Sequence, residues 1–255
     1  MIDRQLLPLD FTTDAGFGAR ALLGLIVLAS DRTLEAEMRQ IQIDGVDWLH
    51  ARIHNDDEVT PETLTAMRDR LPEAAALLPP GFAFDALGYG CTSASTLIGE
   101  VAVSQALQSA HPEVPCTNPV SAAVAAFRSL KAQRIAIVTP YTAEVTAPIV
   151  SLFEKEGFEV STVGSFLEPL DSVVCRITED SVAGAVEQVA QQAPCDAVFV
   201  SCTSLRLFGV VNQLEESLNK PVVSSNLALT WHLLRLAGIN DVLETHGMLG
   251  HQRLL

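Results

Sequence analysis

The chain has 255 residues, 48% of them hydrophobic and 18% charged, which is enough apolar mass for a sizeable packed core and too little charge for a disordered polyelectrolyte. Asp and Glu number 31 against 16 Lys and Arg, a net charge of -15, and a field of that sign repels phosphate backbones and anionic lipid, so neither nucleic acid nor a membrane is an expected partner. The longest apolar run, Ala21 to Ala29, is about half of the ~20 residues a membrane span needs. Met1 to Gln5 lack the basic-then-apolar order of a secretory leader, and five cysteines, an odd number, suit a reducing cytoplasm better than a disulfide framework.

Short apolar runs alternate with longer helical stretches along the chain. Leu23 to Ala29 reads as a buried strand, Thr33 to Ile41 as a helix, and Pro61 to Leu78 as a helix with Pro61 in its first turn and a possible break at Pro72. Phe82 to Tyr89 reads as strand, Ser95 to Ser109 and Pro119 to Leu130 as helices, Arg134 to Thr139 as strand and Ala143 to Glu156 as helix. Strand Phe158 to Val163, helix Ser181 to Gln192, strand Ala197 to Ser201, helix Leu207 to Leu218, strand Val222 to Ser224 and helix Leu227 to Leu236 complete the series. Apolar strands that do not alternate, separated by helices, predict an α/β fold with parallel sheet covered on both faces. The acidic stretch Asn55 to Glu62 reads as a solvated loop or lid.

The chain also repeats itself. Asp85 to Ser93 (DALGYGCTS) aligns with Asp196 to Ser204 (DAVFVSCTS), an offset of 202 − 91 = 111, and the same offset carries Ile26-Val27 onto Ile137-Val138. We read two homologous halves, residues 1–118 plus 225–255 and residues 119–224, each with a strand, a Cys-Thr-Ser element and a helix.

Ligands of open parallel sheets bind beyond the carboxyl ends of the strands, where Cys91 and Cys202 fall. Amides at a helix start bind anions and lower a thiol's pKa, so Thr92, Ser93, Thr203 and Ser204 are expected to hold a carboxylate with the two thiols on opposite sides of one cleft. That suits proton removal and return beside a carboxylate, or thiolate addition to an activated double bond followed by rotation and release. Neither needs a metal or an organic cofactor. Cys116, Cys175 and Cys195 lack this setting and read as structural.

In Gly90-Cys91-Thr92-Ser93, Val138-Thr139-Pro140-Tyr141, Ser201 to Arg206 and Pro221 to Ile239 the chain resembles the aspartate/glutamate racemase superfamily, in the branch of maleate cis-trans isomerases and arylmalonate decarboxylases. The resemblance implies two pseudo-twofold-related parallel-sheet domains with a cofactor-free site between them. It implies Cys91 as attacking nucleophile, Cys202 as its partner and Tyr141 as a carboxylate-binding residue. Known decarboxylases of the branch keep only the second cysteine, so two point to an isomerase or racemase. Decarboxylation with Cys202 as proton donor, and carboxylate binding without chemistry, are the alternatives.

Two positions depart from the branch. Asp31 stands where maleate isomerases carry a substrate-binding Asn, and Asp171 or Glu168 lies nearest to where a second is expected. A carboxylate at Asp31 repels a dianion and pairs with an amine, its plainer role being a helix cap; an amino-bearing acid fits, as does a likeness to proteins of ectoine utilisation. Arg206 reads as a carboxylate ligand or a salt-bridge residue and His232 as a packed histidine. His50, His54, His111, His246 and His251 read as solvated, and the apolar helix from Thr96 to Ala110 suggests a homodimer.

Overall fold

The strand that the sequence marks most strongly, β1 (Ala21–Leu28), runs through the middle of a sheet and is buried along nearly its whole length. The structure is a computed structural model that describes residues 6–14 and 16–255, so the segment Met1 to Gln5, read above for a leader, lies outside the described residues. β2 (Val46–Ile53), β3 (Ala86–Gly90) and β4 (Cys116–Thr117) complete the first sheet in the order β2-β1-β3-β4. The second sheet joins β5 (Arg134–Thr139), β6 (Glu159–Ser165), β7 (Ala197–Val200) and β8 (Val222–Ser224) in the order β6-β5-β7-β8. Every pairing in both sheets is parallel. Adding the sequence offset of 111 to β3 gives positions 197–201, and β7 spans Ala197–Val200. The internal repeat is therefore a repeat of topology: two α/β sheets of the same strand order, the architecture expected from the sequence.

Ten α-helices among the described residues cover the sheets: α1 (Leu34–Met38), α2 (Pro61–Ala75), α3 (Thr92–Ile98), α4 (Glu100–Gln108), α5 (Pro119–Ser129), α6 (Ala143–Lys155), α7 (Asp171–Val174), α8 (Glu179–Gln192), α9 (Val211–Leu218) and α10 (Ser225–Leu236). Their starts follow from local chemistry. Thr60 and Thr63 form a reciprocal capping box ahead of α2, with Pro61 at its first turn, and Asn118 accepts from the amides of Val120 and Ser121 at the head of α5. Phe127 of α5 packs edge-on against Phe153, Phe158 and Phe199, each such pair adding about 0.5–1.5 kcal/mol beyond its burial.

The structure departs from the sequence reading where local signals compete. β2 escapes notice because it is an edge strand: it pairs only with β1, and His50 and Arg52 interrupt its apolar pattern and face solvent. The single helix expected over Ser95 to Ser109 breaks at Gly99, whose φ of +87° costs little only for glycine. Pro72 does not split α2; it lies on the exposed face near the helix end. His111 and His246 are buried rather than solvated: His111 packs edge-on against Phe84, and both ring nitrogens of His246 meet threonine hydroxyls, those of Thr230 at 2.7 Å and Thr245 at 2.9 Å. No helix of the described residues is long and apolar enough to cross a membrane.

Candidate functional site

The carboxyl ends of the two sheets face one pocket. β3 delivers Cys91, Thr92 and Ser93; β7 delivers Cys202, Thr203 and Ser204; Tyr141 follows β5 and Asp171 opens α7, and all of these line the cavity. The space between these residues is about 400 Å³, part of it open to solvent. Leu28, Val59, Leu64 and Met67 make one wall apolar. The roof is the stretch from Asn55 to Thr60, which is pinned rather than free. The Val59 amide donates to the Pro169 carbonyl at 2.9 Å, and Asp57 accepts from the Ser172 amide and hydroxyl, both at 2.9 Å.

The two Cys-Thr-Ser elements are tied together through one shared oxygen. The Thr92 hydroxyl donates to Ser225 Oγ at 2.8 Å, and the same oxygen accepts the Cys202 amide at 3.0 Å. The Thr203 hydroxyl reaches the Gly90 carbonyl at 3.4 Å, and the Thr33 hydroxyl the Ser204 carbonyl at 2.9 Å. Glu37, on α1, accepts from the amides of Leu207 and Phe208 at 2.7 and 3.0 Å and from Asn226 Nδ2 at 2.7 Å; Asn226 also donates to the Thr203 carbonyl at 2.9 Å. A buried carboxylate on α1, the helix after β1, thus clamps the loop that carries Cys202 after β7. Burial pushes the Glu37 carboxyl up to about 7 against the pull of those three donors. Sequence reading missed Glu37, since a lone Glu inside a short helix carries no local mark of burial.

The thiols differ from expectation in their ionisation. Cys91 does cap a helix, α3, but burial outweighs the Ala94 amide and the Ser93 hydroxyl and lifts its pKa to about 11. No helix starts at Cys202, because α9 begins only at Val211; burial, then the negative charge of Asp171, push its thiol up as well. The helix-start argument fails because burial of the sulfur outweighs what the amides contribute. Each sulfur nevertheless has a phenol beside it. The Tyr141 hydroxyl favours the Cys202 thiolate, and the Tyr89 hydroxyl, which has no hydrogen-bond partner of ordinary length, favours that of Cys91. Both phenols are themselves pushed up, chiefly by burial.

Asp31 does not line the pocket. Its Oδ1 accepts from the Thr33 and Leu34 amides at 2.8 and 2.9 Å, the capping role. The buried acid at the pocket wall is Asp171, 6% exposed, with Oδ2 accepting from the Ser30 hydroxyl at 3.2 Å and Asn55 Nδ2 at 3.4 Å. Asn55 therefore supplies an amide to this site that the sequence reading assigned to a solvated loop. Burial raises the Asp171 carboxyl to about 6. Arg206 donates to the Ile177 carbonyl at 2.8 Å and stands outside the pocket, and His232 is a packed residue stacked on Trp231. Cys116, Cys175 and Cys195 lie elsewhere, and among the described residues no group of His, Cys, Asp and Glu is placed to hold a metal ion.

The family model described as arylmalonate decarboxylase matches residues 23–250. The maleate isomerase of Pseudomonas putida is 27% identical over 240 residues, covering 89% of this chain and 96% of that protein. The arylmalonate decarboxylase of Bordetella bronchiseptica is 28% identical over 126 residues, 49% of this chain and 52% of that one. In three dimensions, a crystal structure of a Nocardia farcinica maleate cis-trans isomerase variant holding a covalent succinylcysteine intermediate superposes with a TM-score of 0.82 at 23% identity, over 91% of this chain and 98% of that one. A Pseudomonas putida maleate isomerase variant with bound maleate gives 0.83 at 22% identity, over 92% and 99%.

Proposed function

Because the chain belongs to the arylmalonate decarboxylase family, we propose that it is a cofactor-independent isomerase or racemase acting on a small carboxylate through Cys91 and Cys202. The observation that carries this is the convergence of the two cysteines, from equivalent strand ends of the two sheets, on one small pocket. Thr92, Ser93, Thr203 and Ser204 supply amides and hydroxyls to the substrate carboxylate and to the negative charge that develops beside it. Tyr141 holds Cys202 and completes the carboxylate contacts.

In racemisation, a thiolate on one face removes the proton next to the carboxylate, the electron pair moves into the carboxylate as an enolate, and the thiol on the other face returns a proton. In double-bond isomerisation, the Cys91 thiolate adds to one alkene carbon, the remaining single bond rotates, and the thiolate is expelled. The apolar wall of Leu28, Val59, Leu64 and Met67 favours a second reading, decarboxylation of a malonate bearing an apolar group, with Cys202 as proton donor. That reaction survives Cys91→Gly.

An amino-bearing acid agrees with the sequence likeness to ectoine-utilisation proteins and with an acid at the pocket wall. We divide the halves at 118/119 and 224/225, with Leu229 and Leu233 of α10 laid over Gly88 in β3 as support. Five unpaired cysteines favour the cytoplasm, and the exposed Val101 on α4 favours a homodimer. The test is turnover together with solvent deuterium uptake at the substrate carbon in Cys91→Ser and Cys202→Ser. Each should lose about a hundredfold or more of either isomerase or racemase activity, and full activity in both overturns the reading.

A further inference from the structure

The proposed chemistry leaves one buried charge in the pocket without a task. Asp171 sits at the wall with its carboxylate anchored by Ser30 and Asn55, residues that follow β1 and β2 of the other half. No Lys, Arg or His of the described residues lines the pocket, and its two other charged wall residues, Asp56 and Glu58, are acids. The nearby Arg70 is spent on Asp56 at 3.1 Å and on the His54 carbonyl at 3.1 Å. A dicarboxylate whose first carboxylate meets the Cys-Thr-Ser amides would bring its second to an acidic wall with no cation to offset it. An acid with an ammonium at its other end meets the opposite charge at both ends.

We propose that Asp171 is a cation receptor in this pocket and selects amino-bearing monocarboxylates over dicarboxylates. The inference rests on the two-cysteine reading of the site and extends it to the thiols. The charge of Asp171 opposes ionisation of both Cys91 and Cys202, so an ammonium paired with it removes that opposition. The substrate's own charge then prepares the thiols, which in the empty pocket are mostly protonated and react slowly.

Two thiol reagents of equal length and opposite charge test this directly: 2-aminoethyl and 2-sulfonatoethyl methanethiosulfonate. Their rates of reaction at Cys91 and Cys202 are followed by peptide mass mapping in the wild type and in Asp171→Asn. The ratio of cation rate to anion rate should fall at least about tenfold in the variant, while the general effect of the acidic surface, present in both proteins, cancels. Maleate should stabilise Asp171→Asn against heat more than it stabilises the wild type. A second measurement needs no substitution: the same ratio in the wild type should fall as pH drops through about 6, where Asp171 takes up its proton. A charge ratio indifferent both to the substitution and to pH overturns the role of Asp171. Cysteines that react with neither reagent overturn the two-cysteine site itself, so the two failures are told apart.

Discussion

Replacing Glu37 by Gln keeps its size and removes its charge, and the consequence can be worked out from the structure. Glu37 is 4% exposed and accepts three hydrogen bonds, two from the loop after Cys202 and one from Asn226. Its carboxyl moves from an ordinary value of 4.5 to about 7, with burial as the main cause. The folded state therefore binds its proton more tightly than the unfolded state, and stability from this group is full below pH 4.5 and lost as pH rises through about 7. At about 1.4 kcal/mol per unit, the loss comes to about 3 kcal/mol. Urea unfolding of the wild type and of Glu37→Gln, followed by tryptophan fluorescence from pH 4.5 to 8, isolates it, because Asp31 and Asp171 titrate alike in both proteins. The wild type should lose about 3 kcal/mol relative to the variant across that range. A difference that stays flat with pH, or runs the other way, refutes the reasoning. Glu37→Ala is harsher, since it leaves the Leu207 and Phe208 amides without their acceptor and removes one of the two acceptors of Asn226 Nδ2. It should cost about 3–6 kcal/mol and lower turnover by displacing Cys202.

Ser225→Ala removes the oxygen shared by the Thr92 hydroxyl and the Cys202 amide; a loss of about 1–3 kcal/mol in urea unfolding is expected, and an unchanged midpoint would show that the shared oxygen ties nothing together. Tyr141→Phe keeps the buried ring and removes the hydroxyl that favours the Cys202 thiolate, so alkylation of Cys202 should slow about tenfold while that of Cys91 changes little. Gly247→Ala places a Cβ against the Glu215 carboxylate at a φ of +54°; thermal melting should show a loss of about 2–5 kcal/mol, and a neutral result would contradict the clamp that Glu215 makes on the Met248 and Val222 amides.

The features legible in the sequence were those with a local or repeated signature. The apolar run of β1, the twin Asp-Ala...Cys-Thr-Ser segments and Pro61 in the first turn of α2 all speak through neighbours in sequence, and they suffice to reach two parallel sheets and one shared pocket. What stayed hidden depends on partners far along the chain. Glu37 is 170 residues from Leu207, and Asp171 is 116 from Asn55. No periodicity announces that such pairs meet, or that burial will lift a carboxylate or a thiol. Of the two roles the sequence offered Asp31, the helix cap is the local one, and its Oδ1 takes it at the Thr33 and Leu34 amides. The direction of the thiol shift was misjudged because a helix start can be read from sequence, whereas the burial of the sulfur beside it cannot.

The most direct measurement is cross-linking of the untreated protein with 1,3-dibromoacetone, which joins two thiols only when both lie within reach of its three carbons. Digestion and mass spectrometry should recover one dominant product, the peptide of Cys91 bridged to the peptide of Cys202, absent from Cys91→Ser and from Cys202→Ser. Recovery of single adducts alone, or of a bridge through Cys116, Cys175 or Cys195, would contradict a site built from paired sulfurs across the two sheets.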